Sequence, residues 1–136
     1  MFETFEHTAD VGLRIRAADL DGLFADAGRG LFSLIVANPE EVSAIEELPV
    51  ALEGAESDAL LHDWLAELLY LSQVRRLLFS QFDVHVRSDR LEAKIRGQRI
   101  DPHRHRLDLE VKAITWHGLK VERTADGWLA EVIVDI

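Results

Sequence analysis

The chain has 136 residues, 48% hydrophobic and 29% charged, enough for one domain with a buried core and too apolar for disorder. It has no cysteine, which excludes disulfides and thiolate metal centres and suits the expected cytoplasmic location. Fifteen Lys and Arg against 25 Asp and Glu leave a net charge of −10, the wrong sign for strong direct nucleic-acid binding unless the basic residues gather on one face.

The N-terminus carries no basic region followed by an apolar stretch, so no signal peptide is expected, and no apolar run is long enough to span a bilayer. Thr4 to His7 reads as a short strand that turns through Thr8, Ala9 and Asp10. Val11, Leu13, Ile15 and Ala17 then alternate with Gly12, Arg14 and Arg16, the period of a half-buried strand. Asp19 is placed to cap a helix whose apolar stripe is Leu20, Leu23, Phe24, Ala27, Leu31, Phe32 and Ile35. Gly28 and Gly30 lie inside that stripe, where they cost helix stability and so mark a close backbone contact. Asn38-Pro39 stops the helix, and Leu48, Val50 and Leu52 alternate as the next strand.

Ser57 is the expected cap of a second helix. Its inward stripe is Leu60, Leu61, Trp64, Leu65, Leu68 and Leu69, with Asp58, His62, Asp63 and Glu67 facing water. From Gln81 onward strands dominate: Phe82 to Val86, Leu91 to Ile95, a long strand that begins with Leu107, Leu109, Val111 and Ala113, and Leu119 to Arg123. Asp126-Gly127 is a hairpin turn, and Trp128 to Asp135 forms the last strand. Two long helices and about seven strands describe a single α+β domain over 1–136, its helices packed on a predominantly antiparallel or mixed sheet.

Asp10 opens one strand and Asp135 closes another. If those strands are antiparallel neighbours, both carboxylates and the terminal carboxylate of Ile136 come together. Such crowded anions need a proton or a cation, and oxygen donors of this kind suit a hard divalent ion. Calcium is the expected ion, with magnesium or manganese as alternatives; His7 and Thr8 stand close enough in sequence to assist, and His117 is a further candidate. The plainer alternative is a turn aspartate and a solvated C-terminus.

Lys112 reads either as a solvated lysine paired with Glu110 or Glu122, or as a tethered cation for a phosphate. His117 ends the same strand on the opposite face, unless a bulge intervenes. The apolar phase shifts between Ala113 and Ile114, which favours one. His103 and His105 lack a third ligand and make a poor zinc site. No nucleophile elbow, phosphate loop or HExxH pattern occurs.

Four blocks carry a resemblance: "FEHTADVGLRIRAADLDGLFADAGRGLFSLI", "DALLHDWLAELLYL", "EVKAITWHGLKVE" and "DGWLAEVIVDI". In order and content they resemble the archease family, across essentially the whole chain; Trp116 stands where the family pattern has an aromatic. The resemblance implies a small acidic helper of the RtcB-type RNA ligase that joins tRNA halves after intron removal. That ligase first transfers GMP from GTP to one of its own histidines. The family promotes this guanylylation, sustains repeated turnover and relaxes the choice of nucleotide. Carried onto this chain, metal ligation falls on Asp10, Asp135 and an oxygen of Ile136, and an activation-related position falls on Lys112. The helper itself would not be an enzyme.

Two other functions fit the residues. A small metal-dependent phosphoester hydrolase would use Asp10 and Asp135 for the ion and His7 or His117 as base. A chaperone-like binding module would use the acidic surface and exposed aromatics.

Overall fold

The computed structural model describes residues 1–7 and 10–136, the His7 side chain excepted. Thr8 and the expected turn through it lie outside the described residues. In chain order the elements are β1 (Phe2–His7), β2 (Asp10–Ala17), α1 (Leu20–Ile35), a 3-10 turn (Pro39–Glu41), β3 (Glu46–Glu53) and α2 (Ser57–Arg75). They continue with β4 (Leu77–Val86), β5 (Arg90–Arg99), β6 (Ala113–Ile114), β7 (Lys120–Thr124) and β8 (Gly127–Asp135). The described strands pair antiparallel in two sheets. One runs β1-β2-β8-β6, with β7 also on β8; the other runs β3-β5-β4. The α+β architecture is as expected, with eight described strands rather than seven.

Both helices touch strands of both sheets, so the core lies along the helices. Asp19 caps α1 as its sequence position suggests: it is extended, with φ −142°, and its Oδ1 accepts from the Gly22 N–H at 2.7 Å. Gly28 and Gly30 of α1 are explained by close approach from opposite sides. A Cβ on Gly28 would stand 2.9 Å from the Phe82 ring of β4, and one on Gly30 would stand 3.2 Å from Leu13 of β2 and from Phe2 of β1. Each glycine costs roughly 0.5–1 kcal/mol of helix stability, which tight packing on both sides offsets.

The leucine stripe of α2 is buried with Trp64, whose indole N–H donates to the Phe24 carbonyl at 2.9 Å and ties the helices together. Ser57 is not the cap. The helical ladder starts one residue earlier, with the Leu60 N–H on the Glu56 carbonyl at 2.9 Å, so Glu56 is the N-cap and offers no side-chain bond. His62 is also more than a solvated residue: its ring stacks on Trp116 at 3.8 Å, and its Nε2 bonds the Ile114 carbonyl at 3.1 Å.

The long strand expected to begin at Leu107 and run to His117 does not form. Only Ala113 and Ile114 join the ladder, and Leu107 makes a lone bridge to Val36. The Asp108 and Leu109 N–H groups instead donate to Ile35 and Leu34 carbonyls at 2.8 and 3.0 Å. Those carbonyls belong to the last turn of α1, which has no intrahelical donors left for them. The segment therefore spends its donors on the helix end rather than on a sheet.

His105 is buried and structural. Its Nδ1 accepts from the Asp101 N–H at 3.0 Å, which leaves Nε2 to donate toward the Glu41 carbonyl and Gln98 Oε1, both at 3.1 Å. His103 is exposed and its backbone N–H bonds Asp101.

Candidate functional site

Alternation divides the larger sheet into two faces. Leu13, Ile15, Val132 and Val134 are buried in the core shared with the helices. Asp10, Gly12 and Arg14 of β2 share the other face with their register partners Asp135, Ile133 and Glu131 of β8.

The middle of that face is charge-compensated. Arg14 bonds Glu131 at 3.0 Å and Glu3 at 3.3 Å, and its guanidinium lies over the Phe5 ring at 4.8 Å. Lys120 reaches Glu131 at 3.0 Å and Glu122 at 3.6 Å. Hydrogen bonding to Glu3 and Glu131 holds Arg14 above its usual range, and Glu131 with Glu122 does the same for Lys120. Partial burial pushes the Glu131 carboxyl up, but hydrogen bonds and charge from Lys120 and Arg14 outweigh it and hold the group below the usual carboxylate range.

The end of the face is different. Asp10 pairs with Asp135 across β2 and β8, His7 pairs with Asp10 across β1 and β2, and Ala113 pairs with Asp135 across β6 and β8. Directly opposed residues have Cβ atoms about 4.5–5.5 Å apart, and like charges so placed destabilise the sheet. At ~5 Å in a water-like dielectric the repulsion is roughly 1 kcal/mol, more where the surroundings are drier. Asp10 is half-buried and Asp135 exposed. Ile136 follows directly and packs against the core, which brings its backbone oxygen to the same sheet end.

Lys112 belongs to this neighbourhood. Its N–H donates to the Asp135 carbonyl at 2.7 Å, although Ala113 is the register partner of Asp135. Two residues of one strand thus face one of the other, a bulge that accounts for the buried Val111 and Ile114 standing three positions apart. Lys112 is exposed and pairs with neither Glu110 nor Glu122, the latter being taken by Lys120. His117 lies in the turn beyond β6, with its N–H 3.3 Å from Thr115 Oγ1.

The expected antiparallel pairing does set Asp10 opposite Asp135, with Lys112 bonded to the Asp135 carbonyl, whereas the Arg14–Glu131–Lys120 network and the His62–Trp116 stack were not anticipated. The network becomes visible once a register is assumed. The stack has no local signal, because Trp116 lies 54 positions beyond His62. Among the described residues no three His, Asp or Glu side chains converge as a metal cluster.

The profile of the Archease protein family (MTH1598/TM1083) matches residues 2–136. The chain belongs to the archease family. Archease of Methanopyrus kandleri is 38% identical over 99% of both chains, and that of Pyrococcus furiosus 37% identical over 99% of this chain and 98% of its own. Among solved structures, protein 1598 of Methanobacterium thermoautotrophicum superimposes with a TM-score of 0.87 at 32% identity, over 99% of this chain and 98% of that one. The archease of Thermotoga maritima, termed a possible chaperone, shares the fold with a TM-score of 0.69 at 22% identity, over 100% of this chain and 98% of its own. The four sequence blocks that resemble the family lie within the matched residues, and they include Asp10, Lys112 and Asp135.

Proposed function

We propose that this chain activates an RtcB-type tRNA-splicing RNA ligase, promoting its guanylylation, repeated turnover and use of more than one nucleotide, with a divalent cation held by carboxylates. The observation that carries this reading is the pairing of Asp10 with Asp135 in a member of the archease family. Asp10, Asp135 and an oxygen of Ile136 are hard donors that fit a cation preferring oxygen. Calcium suits this partly open, adaptable set best, magnesium and manganese being stricter in geometry. When bound, such an ion neutralises charge on phosphoryl oxygens.

The chain's own residues do the rest. Asp10 and Asp135 present a concentrated negative charge at one sheet end, and Lys112 adds a cation whose backbone is fixed to Asp135. The net charge of −10 complements a basic, nucleotide-binding cleft and speeds docking on it. On this reading the bond-making chemistry stays on the ligase and the chain is not itself an enzyme.

The test is ligase guanylylation with wild type, Asp10→Ala and Asp135→Ala. Wild type should stimulate, and each variant should lose most of that stimulation, at least about tenfold, the effect of about 1.4 kcal/mol. Full stimulation by both variants would remove the carboxylate mechanism. A second reading, a chaperone-like module, draws on Tyr70 and Val74, which stand one turn apart on α2 and are 58% and 61% exposed. It expects suppression of client aggregation that Asp10→Ala leaves unchanged and Tyr70→Ser with Val74→Ser reduces.

A further inference from the structure

Basic residues gather at the C-terminal end of α2. Arg75, Arg76 and Arg99 line a cleft of about 340 Å3 together with Glu46, Val74 and Leu77. The placement follows from the chain path. α2 ends at Arg75, Arg76 caps it in the left-handed region with φ 55°, and β4 starts at Leu77, whose register partner on β5 is Arg99. All three arginines are exposed, and none of them pairs with a carboxylate among the described residues. Arg14, Arg29, Arg90, Arg96 and Arg104 all do.

Charge counting identifies the ligand. Three guanidiniums contribute +3, Glu46 contributes −1, and the C-terminus of α2 contributes about −0.5. The remaining charge of about +1.5 matches a phosphate dianion better than a single carboxylate, and guanidinium forks suit phosphate oxygens. Arg76 also lines an adjoining groove of about 430 Å3, whose walls include Leu69, Leu109 and Val111. That groove offers an apolar surface to the organic part of the ligand. Each further phosphate of an RNA chain would instead meet the acidic surface of a protein with net charge −10.

We propose that this cleft binds the phosphoryl group of a nucleotide-sized phosphomonoester. The assignment holds whether or not a ligase is the partner of the Asp10 end. It is tested by phosphorus NMR titrations of the intact chain at low salt with inorganic phosphate, AMP and a 5′-phosphorylated RNA decamer.

AMP should bind one-to-one and more tightly than phosphate, and the RNA no more tightly than AMP. Arg75→Gln with Arg99→Gln should weaken AMP binding about tenfold or more. Arg87→Gln, which removes the same charge per site at the other end of β4, should leave it unchanged. Arg99→Gln alone serves if the double variant melts early. Absence of saturable binding by phosphate and AMP, or an equal loss in Arg87→Gln, overturns the proposal. RNA binding tighter than AMP overturns the small-ligand assignment, and displacement of AMP by millimolar acetate overturns the preference for phosphate.

Discussion

Glu131 accepts from Arg14 on one side and Lys120 on the other, and both cations hold its carboxyl below the usual range. A carboxyl depressed by folding binds fewer protons than its unfolded counterpart, so its stabilisation is present at neutral pH and lost in acid. Replacement by Gln removes that linkage. Urea unfolding of wild type and Glu131→Gln should therefore show a stability gap that is constant above about pH 5 and closes as pH falls through the carboxylate range toward 3. A gap that persists unchanged at pH 3 would mean that packing rather than charge holds Glu131. This residue was not legible beforehand, because Arg14, Lys120 and Glu131 come from three strands and only their register makes them neighbours. Asp10 and Asp135 were legible because each sits at the end of an alternating run, where one assumption of antiparallel pairing places both.

Strand β5 passes β4 at Gly97, the register partner of Phe79, where the register slips between Phe79 and Gln81. A Cβ on Gly97 would lie 1.9 Å from the Leu78 carbonyl oxygen, a backbone atom with no side-chain freedom to retreat. Gly97→Ala should destabilise the fold by about 3 kcal/mol or more, whereas Gly54→Ala, with its nearest neighbour at 3.7 Å, should stay within about 1 kcal/mol of wild type. Thermal and denaturant melts decide between them. The same scale shows where pattern reading runs out. The helices and most strands follow their apolar periods, since one buried face dictates each. Leu107 to Val111 alternates like a strand, yet its donors are drawn to the carbonyls at the end of α1, and no local pattern announces a partner 73 residues back. Likewise the position of Ser57 looks like a cap, but the start of the ladder at Glu56 depends on how α2 docks.

Across the whole molecule, charge is arranged unevenly: compensated at the middle of the large sheet, concentrated as Asp10 and Asp135 at one end, and reversed at Arg75, Arg76 and Arg99. If the carboxylate end holds a cation, calcium should raise the melting temperature of wild type relative to EDTA, by the equivalent of about 2.7 kcal/mol at a hundredfold excess over its dissociation constant. Asp10→Asn should abolish that rise. A melting temperature indifferent to calcium, magnesium and manganese would count against cation binding there. No described helix is long and apolar enough to cross a membrane.

The position of β8 has a consequence for how the protein is made. This strand lies between β2 and β6 and also carries β7, yet it comes last of the described strands in chain order. On the ribosome, β2 waits with its inner edge open until more than a hundred residues of later chain have emerged, an exposed template for mispairing with other nascent chains. Arg14 and Arg16 on that waiting edge are the kind of charges that discourage such pairing, and Asp10 acquires its counterpart only when synthesis reaches Asp135.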